Sequence, residues 1–228
     1  MKKILCSALT SLALVAGIPG FAQTAAPAAA SAPAIDPATL LAARDLLAGL
    51  HTGEKLRAEM AHLSQPLPDT AMSANVEMVR RIAARSVHAD PKLNATQKKD
   101  ALAKVEKNMP EVMHAVQSTF SDPKLADWII GEAMGQIASL YARLFTAPEI
   151  DQLAGYYATP VGVKVLADVP ITAAAEIDQS KAFEASPIAE KMRNVAPEIM
   201  YESMSIVEQV MVPSIARVIA QFAEAPTN

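Results

Sequence analysis

Side chains that could carry out catalysis are few and scattered along this chain of 228 residues. No two of its four histidines lie three or four positions apart, which is the spacing that places two imidazoles on one face of a helix. The sequence also lacks a Gly-x-Ser-x-Gly, a Ser-x-x-Lys, a P-loop and a Gly-x-Gly-x-x-Gly pattern. We therefore predict no catalytic residue, no metal site and no cofactor, and the sequence favours a protein that is not an enzyme.

The strongest local signal is aromatic. Four of the nine aromatic residues that follow position 22 fall within seventeen positions, and a lysine follows them closely. Such rings supply large apolar surfaces, and buried tyrosine hydroxyls need hydrogen-bond partners, so the group is either a packing centre or a ligand-binding site. The residues predicted to bind a ligand, if the protein binds one, are Tyr141, Phe145, Tyr156, Tyr157 and Lys164.

The same segment contains five residues whose expected role is structural. Thr146 is followed three positions later by Glu149, which is the spacing of a capping box at the start of a helix. Thr159 and Pro160 are the residue types that begin another helix, and Gly162 allows a neighbouring helix to come close. We interpret these five residues as structural determinants because each has a sufficient local role.

Residues 141–164 also resemble a known family. They read Tyr-Ala-Arg-Leu-Phe-Thr-Ala-Pro-Glu-Ile-Asp-Gln-Leu-Ala-Gly-Tyr-Tyr-Ala-Thr-Pro-Val-Gly-Val-Lys. This order resembles the signature of a secreted bacterial family, the domain-of-unknown-function family 2059, over about residues 138–170. Tyr156 stands where phenylalanine is usual, and Thr159 stands where serine is usual. The resemblance implies a bacterial helical protein of the cell envelope, and it supplies no activity, cofactor or catalytic residue.

Helices must position this segment, because apolar residues recur at spacings of three and four from residue 37 towards the C-terminus. Glycine is scarce, at eight residues, and no stretch shows the alternation of a strand. We predict an all-α protein, a single-domain bundle of about seven to nine helices over residues 37–225. We expect one helix over residues 96–120, another over about 159–177, and a last stretch that Pro197 and Pro213 split or kink.

The N-terminus has the pattern of an export signal. Lys2 and Lys3 precede an apolar run, and Gly20-Phe21-Ala22 supplies the small residues that a signal peptidase recognises. We predict a signal peptide over residues 1–22, an Ala/Pro-rich flexible linker over residues 23–36, and a location in the bacterial periplasm. No later run approaches eighteen uninterrupted apolar residues, so we expect no transmembrane segment after cleavage.

Composition excludes several further functions for the processed chain. Cleavage removes Cys6, the only cysteine, so thiol chemistry and cysteine-ligated metals are excluded. Cleavage also leaves 18 basic and 24 acidic side chains, and the resulting net charge of −6 argues against a nucleic-acid partner.

Three classes of function remain open. The first is a non-enzymatic protein that contacts an unknown envelope protein, and it predicts an exposed apolar patch. The second is a binding module for an apolar or amphipathic ligand held between helices, which the aromatic group and the methionines of the last helix support. The third is an enzyme of unknown reaction, which predicts a perturbed titratable group in a cleft. The candidate residues for this alternative are the polar side chains Arg143, Glu149, Tyr156, Tyr157 and Lys164. The oligomeric state stays open.

Overall fold

The computed structural model describes residues 35–63 and 69–224, with side chains except at residues 62–74 and 224. The predicted signal peptide lies outside the described residues, and so does the predicted linker except for its last two residues. Both assignments therefore stay predictions.

Ten helices and no strand occur in the described residues, which confirms the all-α prediction. The number of helices is slightly higher than the predicted seven to nine. In chain order the helices are α1 (Pro37–Gly49), α2 (Thr52–Leu63), α3 (Asp69–Ala89), α4 (Ala95–Lys107), α5 (Met109–Phe120), α6 (Pro123–Leu144), α7 (Ala147–Tyr157), α8 (Pro160–Leu166), α9 (Ala174–Glu184) and α10 (Pro187–Glu224). The boundaries of the predicted domain, residues 37–225, stay a prediction.

Two stretches that were each predicted as one helix contain two. Asn108 ends α4 and also begins α5, because Pro110 has no N–H to donate to the carbonyl four residues earlier. The second interruption follows α8, where Asp168 adopts a left-handed conformation with a φ of 52°. A single residue in this conformation ends a helix, since it turns the backbone away from the helical path.

The last helix, α10, is not split at either of its internal prolines, so that part of the sequence prediction is wrong, and the alternative that they kink the helix stays a prediction. It passes through Pro197 and Pro213 over 38 residues, and the neighbouring Ile199 and Ile215 are buried, so packing offsets the hydrogen bond that each proline removes. By length and composition, Pro187–Ala223 is the one helix among the described residues that could cross a membrane, with a mean hydropathy of 1.3 over 18 residues, of which 33% are buried. The core helix of a soluble protein passes the same test, so the expected lack of a transmembrane segment stays a prediction.

Side chains at the helix ends explain several boundaries. Asp36 Oδ2 accepts a hydrogen bond from the N–H of Thr39 at 3.0 Å, and Pro37 is the first residue of α1. At α4, Asn94 accepts from the N–H of Gln97 at 2.9 Å, and the Gln97 side chain accepts from the N–H of Asn94 at 2.9 Å. These bonds satisfy backbone donors that the start of a helix leaves open.

By their contacts, the described residues fall into two compact units. The first unit contains residues 35–56 and 131–206. In it α1 packs against α7, α7 against α8, and α8 against α9. Leu47 of α1 and Ile150 and Leu153 of α7 belong to its core and are at most 1% exposed. This unit contains every residue that the sequence singled out as a candidate.

The second unit contains residues 57–63, 69–130 and 207–224 of the described chain. Here α3 packs against α4 and α5, and α4 also packs against α5. Val79 of α3, Val105 of α4 and Val112 of α5 are at most 2% exposed and represent its core. Burying such side chains is the main source of stability for helices of this length.

Candidate functional site

The four aromatic side chains predicted to bind a ligand are buried against one another. Tyr141 and Phe145, one helical turn apart at the end of α6, stack with their ring centroids 5.9 Å apart. Tyr156 and Tyr157, at the end of α7, meet edge to face with centroids 5.3 Å apart. All four side chains are at most 9% exposed, so the fold itself covers their apolar surfaces.

A fifth ring, that of Phe183 in α9, completes this aromatic cluster and was not predicted. Phe183 stacks on Tyr156 with centroids 3.6 Å apart and planes 1° apart, and it presents an edge to Tyr157 at 6.2 Å. Each such ring pair adds about 0.5–1.5 kcal/mol beyond the burial of its area. No local pattern indicated Phe183, because it is the only aromatic residue of α9 and lies 26 positions after Tyr157.

Lys164, the fifth predicted binding residue, forms an ion pair with Glu176. Its Nζ donates to Glu176 Oε1 at 2.6 Å and so joins α8 to α9. The two side chains are 36% and 24% exposed, which leaves the pair partly shielded from water. Glu176 Oε2 is buried and makes no hydrogen bond to the described residues. The pair helps to hold α9, which carries Phe183, against the rest of this unit.

Thr146 and Glu149 form the corner at which α7 begins. Glu149 Oε2 accepts hydrogen bonds from the N–H of Thr146 at 2.8 Å and from its hydroxyl at 3.1 Å. Lys191 of α10 donates to both carboxylate oxygens of Glu149, at 2.8 and 2.7 Å. The same ammonium lies 5.2 Å from the centre of the Phe145 ring, within the range of a cation–π contact. This corner therefore connects α7, α10 and the aromatic cluster.

The surroundings of these groups set their protonation. Partial burial acts to raise the pKa of Glu149, but the hydrogen bonds from Lys191 and Thr146, with the charge of Lys191, outweigh it and hold that pKa below its usual value. Burial raises the pKa of Tyr141 above its usual value, so its hydroxyl stays protonated. Neither group is therefore ready to exchange a proton near pH 7.

Thr159, Pro160 and Gly162 form the turn between α7 and α8. Thr159 Oγ1 donates to the carbonyl of Tyr156 at 2.7 Å and accepts from the N–H of Gly162 at 3.0 Å. Pro160 is the first residue of α8, a position whose N–H has no partner within the helix, so the N–H that proline lacks is not needed there. A Cβ atom on Gly162 would lie 2.6 Å from Tyr157 Cα and closer still to the Tyr156 carbonyl oxygen. Only glycine fits this position without a backbone shift.

The end of α8 forms a turn that leaves apolar side chains in water. The N–H of Val169 donates to the carbonyl of Lys164 at 2.9 Å. The N–H of the left-handed Asp168 donates to the carbonyl of Val165 at 3.3 Å, which completes a Schellman motif. Val163 and Val169 remain 55% and 47% exposed. The sequence interpretation missed this surface because it extended one helix through the turn.

Charged groups near the aromatic cluster are already paired. Arg143 donates to Glu202 at 2.7 Å, just as Lys164 pairs with Glu176 and Lys191 with Glu149. Within residues 35–63 and 69–224, no three His, Cys, Asp or Glu side chains are grouped so that they could hold a metal ion. The arrangement is therefore a set of buried rings supported by ion pairs at its edge.

Residues 131–179 match the model of one protein family, described as "Uncharacterized protein conserved in bacteria (DUF2059)". Comparison with curated proteins and with solved structures gave no match. The matched segment contains the end of α6, all of α7 and α8, and the first half of α9, so it includes both helix corners and the exposed turn. The resemblance predicted from residues 138–170 is confirmed, because residues 131–179 match the model of this bacterial family, whose function is uncharacterised.

Proposed function

We propose that this protein is exported to the bacterial periplasm and acts there without catalysis, through contacts with another protein of the cell envelope. The observation that carries the proposal is the exposed apolar turn at the end of α8. Val163 and Val169 are 55% and 47% exposed, and Ala167 and Pro170 of the same turn are also exposed. Large apolar side chains grouped in water favour a protein contact.

The turn is well suited to present a fixed surface to a partner. The two Schellman hydrogen bonds fix the backbone of the turn. The ion pair between Lys164 and Glu176 links α8, which precedes the turn, to α9, which follows it. A surface that is already ordered loses little conformational entropy when it binds. The turn also lies within the matched family segment, residues 131–179.

The buried rings support this hypothesis over the two alternatives. Binding of an apolar ligand needs space beside the aromatic residues, whereas Tyr156 and Phe183 cover each other's faces at 3.6 Å. General acid–base catalysis near neutral pH favours a group with a pKa near that pH, whereas the pKa of Glu149 is lowered and that of Tyr141 is raised. Ligand binding and catalysis are therefore less well supported as functions than protein contact.

Photocrosslinking in living cells tests the proposed contact. A photoreactive residue in place of Ala167, in the full-length chain, should give a discrete crosslinked product, and the added double substitution Val163→Asp/Val169→Asp should abolish it. Leu41→Asp is the matched control, because Leu41 is also apolar and is 59% exposed in α1. The control should leave the product unchanged. A product that survives the double substitution, or no product at all, would contradict the proposal.

Export is tested separately by cell fractionation and N-terminal sequencing. We expect the full-length chain to yield a periplasmic protein that begins at Gln23. A chain that keeps its N-terminus and stays in the cytoplasm would refute the proposed location.

A further inference from the structure

The second unit contains a small cavity to which methionine side chains from three helices contribute. Met78 of α3, Met113 of α5 and Met211 of α10 line it, and Phe120 at the end of α5 forms part of its wall. The three methionines are between 6% and 9% exposed. Three methionine side chains that are far apart in sequence therefore line one small space.

The size of the cavity limits what can occupy it. Its volume is about 20 Å³, whereas a single water molecule needs roughly 10–15 Å³ by the same measure and a drug-sized ligand needs roughly 300–1,000 Å³. Only an occupant of one or two atoms fits. Asn75 and Gln117 also line the space, and both are partly exposed.

The chemistry of the lining selects the kind of occupant. Thioether sulfur is a soft ligand that prefers soft cations such as Cu(I), whereas Mg²⁺ and Ca²⁺ prefer oxygen ligands. The only cysteine of the chain is Cys6, so methionines are the only sulfur ligands in the described residues. We infer that Met78, Met113 and Met211 form a site for one soft monovalent cation of the Cu(I) or Ag(I) class.

Burial of the three methionines supports this inference. The three side chains are almost entirely buried, and such surroundings favour a soft, weakly hydrated cation over a strongly hydrated one. Neutral thioethers bring no negative charge, so a divalent ion such as Zn²⁺ has no anionic ligand in the lining to offset its charge. The site lies in the second unit, away in sequence from residues 163–169, and does not depend on the proposed protein contact.

Titration with Ag(I) tests the site, because Ag(I) resembles Cu(I) and needs no reductant. The protein produced from the full-length chain should bind one Ag(I) ion in chloride-free buffer, as measured by native mass spectrometry. Its unfolding temperature should rise with Ag(I), since binding to the folded state alone stabilises that state. Zn(II) at the same concentration should produce neither effect. A protein that shows no bound Ag(I) and no change in unfolding temperature overturns the inference.

Methionine-to-leucine variants locate the ion, since leucine keeps the volume and removes the sulfur. Met113→Leu should weaken Ag(I) binding at least tenfold, and Met78→Leu/Met113→Leu/Met211→Leu should abolish it. Met109→Leu is the matched control, because Met109 is also buried in α5 but does not line the cavity. If circular dichroism shows that the triple variant does not fold, the Ag(I) affinity of Met113→Leu alone tests the site. Equal affinity in wild type, Met113→Leu and Met109→Leu would assign the bound ion to other groups and refute the site.

Discussion

Substitution of Gly162 by alanine tests the tight corner between α7 and α8. A Cβ atom at this position would lie 2.6 Å from Tyr157 Cα and closer still to the carbonyl oxygen of Tyr156. Both contacts are with backbone, and both tyrosines are buried in the aromatic cluster. Neither atom can move aside by a side-chain rotation, so α8 must shift away from the end of α7.

The direction of the change in stability distinguishes this steric clash from the usual effect of replacing glycine by alanine in a helix. In a helix without a clash, changing glycine to alanine stabilises a protein by about 0.5–1 kcal/mol. Overpacking costs about 1–3 kcal/mol, and two backbone atoms at such short distances place Gly162→Ala at the upper end. We therefore expect a net loss of about 2 kcal/mol, which lowers the unfolding temperature by about 4–8 °C in a protein of this size.

Gly155 provides a matched control in the neighbouring helix. It lies in α7, is exposed, and has no atom within 4 Å of the position its Cβ would occupy. Gly155→Ala should raise the unfolding temperature by about 1–4 °C, because it gains helix propensity without a clash. Thermal unfolding followed by circular dichroism at 222 nm measures both variants. If Gly162→Ala is as stable as wild type or more stable, the reasoning about this corner is refuted.

Three further predictions concern the same unit. Thr159→Ala removes the hydroxyl that accepts from the N–H of Gly162, so it should lower the free energy of unfolding by about 1 kcal/mol in urea titrations, whereas Thr159→Ser should not. The pKa of Glu149 is lower in the folded state than in the unfolded state. Its ion pair with Lys191 therefore stabilises the protein fully above the unfolded-state pKa, and this stabilisation is lost as the pH falls through the folded-state pKa. Glu149→Gln should weaken this acid dependence of the unfolding temperature, and an unchanged pH profile would contradict the assignment. His51 has a φ of 53°, so His51→Gly should stabilise the protein by about 0.5–1 kcal/mol in thermal unfolding, and any loss of stability would count against strain there.

Interruptions of the helices show where local sequence reasoning stops. Pro110 by itself predicts a helix boundary, since it cannot donate a hydrogen bond within a helix. The regular apolar spacing of residues 96–120 nevertheless led to the prediction of one continuous helix. Pro197 and Pro213 carry the same local signal, yet α10 continues through both. A proline removes only one bond, so packing around it decides whether the helix survives.

The caps and corners of the candidate segment could be predicted from sequence because their physics is local. Thr146 and Glu149 meet across three residues, and so do Thr159 and Gly162. Such contacts depend on residue type and spacing, which the order of the chain already contains. The helical period and the family resemblance are of the same kind, since both are read from short stretches.

The contact partners of these residues could be identified only from the tertiary structure. Lys191 lies 42 positions from Glu149, and Phe183 reaches Tyr156 only after α9 folds back. The exposure of Val163 depends on the turn that ends α8, and the meeting of three methionines depends on the packing of helices far apart in sequence. The sequence by itself determined the helical class, the caps of the candidate segment and the resemblance to the family, because those follow from neighbours along the chain. Only the tertiary structure decided which side chains are covered, paired or left in water, because burial depends on residues that are distant in the chain.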